Sequence, residues 1–133
     1  MTRFVVGPDV ALRLALEGMV AANGHQLVAP TLLRSQVLSL LYEAVRRGEM
    51  TRGDADRALD HVRGLRIRLL GDRVLQRVAW TVAEQLDWPD TLAAEYLALT
   101  QLQADAFVTL DPDLAETARS LVTVAPFEAL SRR

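Results

Sequence analysis

The sequence predicts an α/β domain in which a mainly parallel sheet carries helices on both faces. Three observations carry this. Segments of strand character alternate with segments of helical apolar spacing along all 133 residues, as a sheet built through right-handed crossovers requires. The run Ala106-Phe107-Val108-Thr109-Leu110 reads as a strand buried on both faces of a parallel sheet. Two helical patterns follow one another without a strand between them at residues 31–62, which predicts a helical hairpin inserted into the alternation.

Taken in order, Phe4-Val5-Val6 is the first strand, broken by Gly7-Pro8-Asp9. Pro8 suits a first helical turn, where its missing N–H costs nothing, and a helix is expected from Val10 to Ala21, stopped at Asn23-Gly24-His25. Gln26 to Ala29 is the second strand, closed by Pro30. Thr31 is expected to cap a helix running to Arg47, with Gly48 as its stop. Thr51 and Asp54 form a capping-box variant opening the helix Asp54 to Val62, with Gly64 ending it. Leu65 to Leu70 alternates as an edge strand should, and Gly71-Asp72 turns into the helix Arg73 to Leu86. Trp88-Pro89-Asp90 is a loop with Asp90 as N-cap. There follow the helix Thr91 to Gln103, the strand Ala106 to Leu110, the helix Pro112 to Arg119, a last strand Leu121 to Val124, and a tail from Pro126.

Composition narrows the function. Half the residues are apolar and 24% are charged, an ordinary globular balance. No apolar run reaches about eighteen residues, so no membrane span is expected. The first residues carry one arginine and a short apolar run, unlike a secretory signal. Cysteine is absent, which excludes a disulfide framework and thiolate metal sites, and a cytoplasmic protein is expected. All 15 basic residues are arginine; a GC-rich genome explains this more simply than phosphate recognition does. The formal net charge of −2 argues against strong nonspecific nucleic-acid binding.

Several chemistries fail on absence. The loop Gly7-Pro8-Asp9-Val10 has no second glycine, as a dinucleotide-binding turn needs. With no lysine there is neither a Walker A loop nor the lysine of a phosphoacceptor receiver. Without cysteine a nucleophile would need serine or threonine beside a histidine. His25 is expected in a turn and His61 near a helix end, away from the carboxyl edge of the sheet where such folds place ligands. Carboxylate chemistry remains. Mg²⁺ takes oxygen ligands from one or two carboxylates, waters and substrate phosphates. Asp111 ends a buried strand, Asp113 stands two residues on and Asp9 follows the first strand, so these three are the candidate metal ligands. Capping of the next helix explains Asp111 and Asp113 equally well.

The blocks FVVGPDVALRLA, LVAPTLLRSQVLSLLYEAVRRGEMT and AAEYLALTQLQADAFVTLDPDLA resemble successive blocks of a PIN domain, most nearly the short VapC-type toxins of bacterial toxin–antitoxin pairs. The resemblance spans nearly the whole chain. It rests on Ala29-Pro30, the Arg47-Gly48 turn, Tyr96-Leu97-Ala98-Leu99 and Val108-Thr109-x-Asp111 in that order. It implies one PIN-like three-layer α/β/α domain over residues 1–133 and a Mg²⁺- or Mn²⁺-dependent endoribonuclease with four acidic site residues.

Carried over residue by residue, the first acidic position falls on Gly7, the second on Gln36, the third on Ala93 and the fourth on Asp111. Only Asp111 is acidic. Gln36 keeps an oxygen without charge, and Gly7 and Ala93 offer no side-chain ligand. Asp9 falls where the family usually has a small hydroxyl residue, and Asp90 and Glu95 are further acidic side chains nearby. One carboxylate cannot offset the dehydration of Mg²⁺ as a cluster can, so the expected ribonuclease activity is weak or lost. Two alternatives stand beside this: an active ribonuclease using Asp9, Asp111 and Asp113, and a non-catalytic module binding protein or RNA. The cofactor is Mg²⁺ or Mn²⁺ if the chain is active and none otherwise. The resemblance also implies a small antitoxin-like partner and a homodimer. Leu32, Leu38 and Val45, outside the sheet-facing stripe of helix 31–47, supply a surface for one, where Ala58, Leu59 and Val62 of the next helix leave it open.

Overall fold

The structure, a computed structural model, describes residues 1–132; the expected domain boundary at Arg133 lies outside them. Four strands, β1 (Thr2–Val6), β2 (His25–Pro30), β3 (Arg68–Leu70) and β4 (Ala106–Val108), form one sheet in the order β3-β2-β1-β4, with every pairing parallel. Phe4 stands opposite Leu27 on one side and Ala106 on the other, so β1 is central. Six helices accompany the sheet: α1 (Pro8–Leu16), α2 (Leu32–Arg46), α3 (Arg52–Gly64), α4 (Arg73–Gln85), α5 (Leu92–Gln103) and α6 (Pro112–Ala118). A 3₁₀ turn at Phe127–Ser131 closes the described chain.

Alternation along the strands divides the core in two. Val5, Val28 and Phe107 face one layer with Leu33, Val37 and Leu41 of α2, Leu75 and Val82 of α4, and Leu97 of α5. Phe4, Val6, Leu27 and Val108 face the other with Val10 and Leu14 of α1 and with Phe127 and Leu130. Each fully buried Val, Leu or Phe side chain contributes about 1.5–3 kcal/mol, so both layers are needed to hold β1 and β4 side by side. The helical hairpin is α2 with α3, and Thr51 and Asp54 form the expected capping box in both directions. The Thr51 N–H holds the Asp54 carboxyl below its ordinary pKa.

Several boundaries differ from the sequence reading. The first helix stops at Leu16, because Gly18 takes a positive φ of 64°. Met19 N–H then returns to the Leu14 carbonyl and Gly18 N–H to that of Ala15, the double closure that a left-handed glycine allows. Met19 and Ala21 are apolar because they pack on the second core from a non-helical segment. Thr31 makes no side-chain cap, whereas Gly48 does end α2, with φ 75°. Gly64 lies inside α3, and the reversal falls on Arg66 at φ 55°, which leaves β3 only three residues. β4 ends at Val108 rather than Leu110. Of the strand expected at 121–124, one bridge survives, Phe107 to Val124.

Candidate functional site

At the carboxyl edge of the sheet a cleft of about 290 Å³ collects Gly7, Asp9, Gln36, Asp90, Ala93 and Asp111. These come from four separated stretches. The passage from β1 into α1 supplies Gly7 and Asp9, α2 supplies Gln36, the entry to α5 supplies Asp90 and Ala93, and the loop after β4 supplies Asp111. The four positions that the resemblance marks therefore meet in one place, although the first and last, 7 and 111, lie 104 positions apart in sequence. Asp113 and Glu95 do not line this cleft. Among the described residues no three histidine, aspartate or glutamate side chains stand where they could hold one metal ion.

Asp9 is the most heavily engaged carboxylate. Its Oδ2 accepts the Leu110 N–H at 2.8 Å and the Thr109 hydroxyl at 3.1 Å, and its Oδ1 accepts the Val10 N–H at 2.8 Å. These bonds tie the first turn of α1 to the segment leaving β4, and they account for the early end of that strand. Thr109 and Leu110 turn out of the sheet and aim their donors at Asp9. As the second residue of α1, Asp9 also sits where a negative charge suits the helix dipole. Its carboxylate takes up the space beside Gly7: a β-carbon built on Gly7 would stand 2.6 Å from Asp9 Oδ1. The Gly7 backbone, at φ −75° and ψ 167°, would accept any residue, so this contact is what selects glycine.

Asp111 caps α6, its Oδ1 accepting the N–H groups of Asp113 at 2.9 Å and Leu114 at 3.2 Å. The helix-capping reading of the sequence therefore holds for Asp111. Asp113 supplies only its amide to that cap. The Thr109 hydroxyl joins the Asp9 carboxylate to the Asp111 backbone, donating to Asp9 and accepting the Asp111 N–H at 3.2 Å. Asp90 accepts the Leu92 N–H at 3.0 Å, so it steadies the start of α5 from one residue before the N-cap, which is Thr91.

Gln36 is held as well. Its Oε1 accepts the Tyr96 hydroxyl at 2.6 Å. Tyr96 is buried, and burial, reinforced by the charges of Glu95 and Asp9, pushes its phenol well above the usual tyrosine pKa. Burial also raises the Glu95 carboxyl. Two residues with direct roles here escaped the sequence reading, Tyr96 as partner of Gln36 and Thr109 as the link from Asp9 to the Asp111 backbone. Both lay inside quoted motifs, yet nothing in their spacing signals a contact across 60 or 100 residues. The histidines take structural places: His61 Nε2 bonds the Met19 carbonyl at 2.9 Å, and His25, on β2 rather than in a turn, bonds the Arg132 carbonyl.

Comparison with known proteins agrees with this architecture. No protein-family model and no curated protein matches the sequence. PAE2754 from Pyrobaculum aerophilum is similar in structure with a TM-score of 0.74 and 18% identity, over 97% of this chain and 92% of that one. A chain of VapBC2 from Rickettsia felis, in a complex bound to a DNA fragment from their promoter, gives a TM-score of 0.63 and 11% identity, over 93% and 98%. At such identities the likeness speaks for the fold alone. The fold of this chain is the VapC-like PIN fold that its sequence resembles.

Proposed function

We propose that this chain is a VapC-like PIN domain in which the nuclease centre is weak or lost and the fold serves binding. The observation that carries the reading is the Asp9 carboxylate beside Gly7. It fills the space that an aspartate at position 7 would need, and its oxygens are taken by donors of its own chain. Gln36 gives its oxygen to Tyr96, Ala93 has none, and one Asp111 oxygen is spent on capping α6. A hard divalent cation needs several converging oxygens to replace its water. The cleft residues do not fit such an ion.

The partner in this reading is a small antitoxin-like protein. A groove of about 460 Å³ between α2, α3 and β3 supports it. Leu38, 56% exposed, lies there with Leu59, Val62 and Leu69, while Leu32 and Val45 are partly buried against the core. Arg34, Arg63 and Arg66 edge the groove, a surface suited to an apolar segment carrying acidic residues. The same reading places the protein in the cytoplasm as a homodimer, which light scattering at high micromolar concentration tests; among the described residues no helix is long and apolar enough to cross a membrane. Incubation of the purified protein with RNA and Mg²⁺ or Mn²⁺, beside an Asp111→Asn control, tests the central point. The expected result is the same background in both. Specific cuts made only by the unmutated protein would establish the active alternative, with Asp9, Asp111 and Asp113 as its ligands.

A further inference from the structure

A second cleft, of about 500 Å³, opens where α4 runs into α5. Trp80, Trp88 and Pro89 give it aromatic and apolar walls, and Glu84, Asp87 and Asp90 stand around them. Trp80 leaves 65% of its surface in solvent, although an indole is among the most favourable groups to bury and is enriched at binding hot spots. Trp88 is fixed: its backbone N–H bonds the Ala83 carbonyl at 2.9 Å as α4 closes, and its side chain packs on the core. No basic side chain lines the cleft, and none of its three carboxylates joins an ion pair among the described residues. Those carboxylates do not converge as a metal site does.

We propose that this cleft binds a positively charged, arginine- or lysine-bearing segment of a partner protein. An exposed indole attracts a cation to its face, with a strength that grows as water is excluded, and three unneutralised carboxylates add charge complementarity of the same sign. The same charges repel a polyphosphate, so RNA is not the occupant. Asp90 lines this cleft and the candidate site alike, so a segment seated here would lie at the rim of that site. The proposal does not depend on whether the site cuts RNA.

The chain has two tryptophans, and both line this cleft, so fluorescence excited selectively at tryptophan reports on it. The test titrates the full chain at low ionic strength with a blocked tetra-arginine peptide, with tetraglutamate and a single-stranded RNA oligonucleotide as comparisons. The expected result is a saturable emission change with tetra-arginine only, weakening as salt is added. Trp80→Ala should reduce the affinity about tenfold, in line with a hot-spot contact. Asp87→Gly should weaken binding without harming the fold, because Asp87 holds a positive φ of 53° that glycine adopts with less strain. No saturable change, an equal response to tetraglutamate or RNA, or affinity unmoved by both variants would overturn the proposal.

Discussion

The Asp9 carboxylate occupies the place that a side chain on Gly7 would need: a β-carbon built there would stand 2.6 Å from Asp9 Oδ1. An aspartate at position 7 and the present position of Asp9 are therefore incompatible. The two residues make one arrangement, in which the carboxylate of Asp9 lies beside Gly7 and is turned onto the loop after β4.

A double-mutant cycle measures this directly. Gly7→Ala should cost about 0.5–1.5 kcal/mol, since Asp9 must shift and give up part-buried hydrogen bonds to make room. In an Asp9→Ala background the same change should cost almost nothing, leaving a coupling energy that only residues in contact show. Urea unfolding of the four proteins reads it, and additive effects would contradict the contact.

Tyr96 supplies a prediction in alkaline solution. Its folded pKa is raised, first by burial and then by Glu95 and Asp9. The unfolded phenol ionises near pH 10, so the stability linked to Tyr96 is full below that pH. It is lost progressively as pH rises above it, because only the unfolded chain releases the proton. Tyr96→Phe should flatten this decline in denaturation curves taken from pH 9 upward, while costing about 0.5–1.5 kcal/mol at neutral pH through the lost bond to Gln36. Glu95→Gln should move the Tyr96 titration down, followed by phenolate absorbance against the Tyr96→Phe background. An unmoved titration would remove Glu95 as a cause.

The four site positions still face one cleft, so charge can be put back. The variant carrying Gly7→Asp, Asp9→Ser, Gln36→Glu and Ala93→Asp, with Asp111 kept, gathers four carboxylates. Mutual repulsion should lower its melting temperature in chelator, and millimolar Mn²⁺ should restore it by binding only the folded state. The unmutated protein should melt at the same temperature with and without Mn²⁺. A variant indifferent to Mn²⁺ would show that the cleft no longer has the geometry of a metal site.

Much of the fold was legible because it is local. The buried run at Ala106–Val108, the capping box at Thr51 and Asp54, and the stop at Gly48 follow from side-chain periodicity and backbone preference within a few residues. The errors come where tertiary packing decides. Met19 and Ala21 continue an apolar pattern, yet they serve the second core from outside α1. Thr109 and Leu110 look like strand, yet they leave the sheet to satisfy Asp9 across some hundred residues. The site was legible as a set of positions through Gly7, Gln36, Ala93 and Asp111. How Asp9 and Tyr96 use the space those positions leave was not, because it depends on side-chain directions set by distant elements.

The most direct measurement is calorimetric titration of Mn²⁺ into the unmutated protein and into Asp111→Asn. No saturable heat in the micromolar range is expected from either protein, because Gly7 and Ala93 offer no ligand oxygen, those of Asp9 and Gln36 accept hydrogen bonds within the chain, and Asp111 uses one of its two on the α6 cap. Micromolar binding to the unmutated protein that Asp111→Asn abolishes would contradict that expectation.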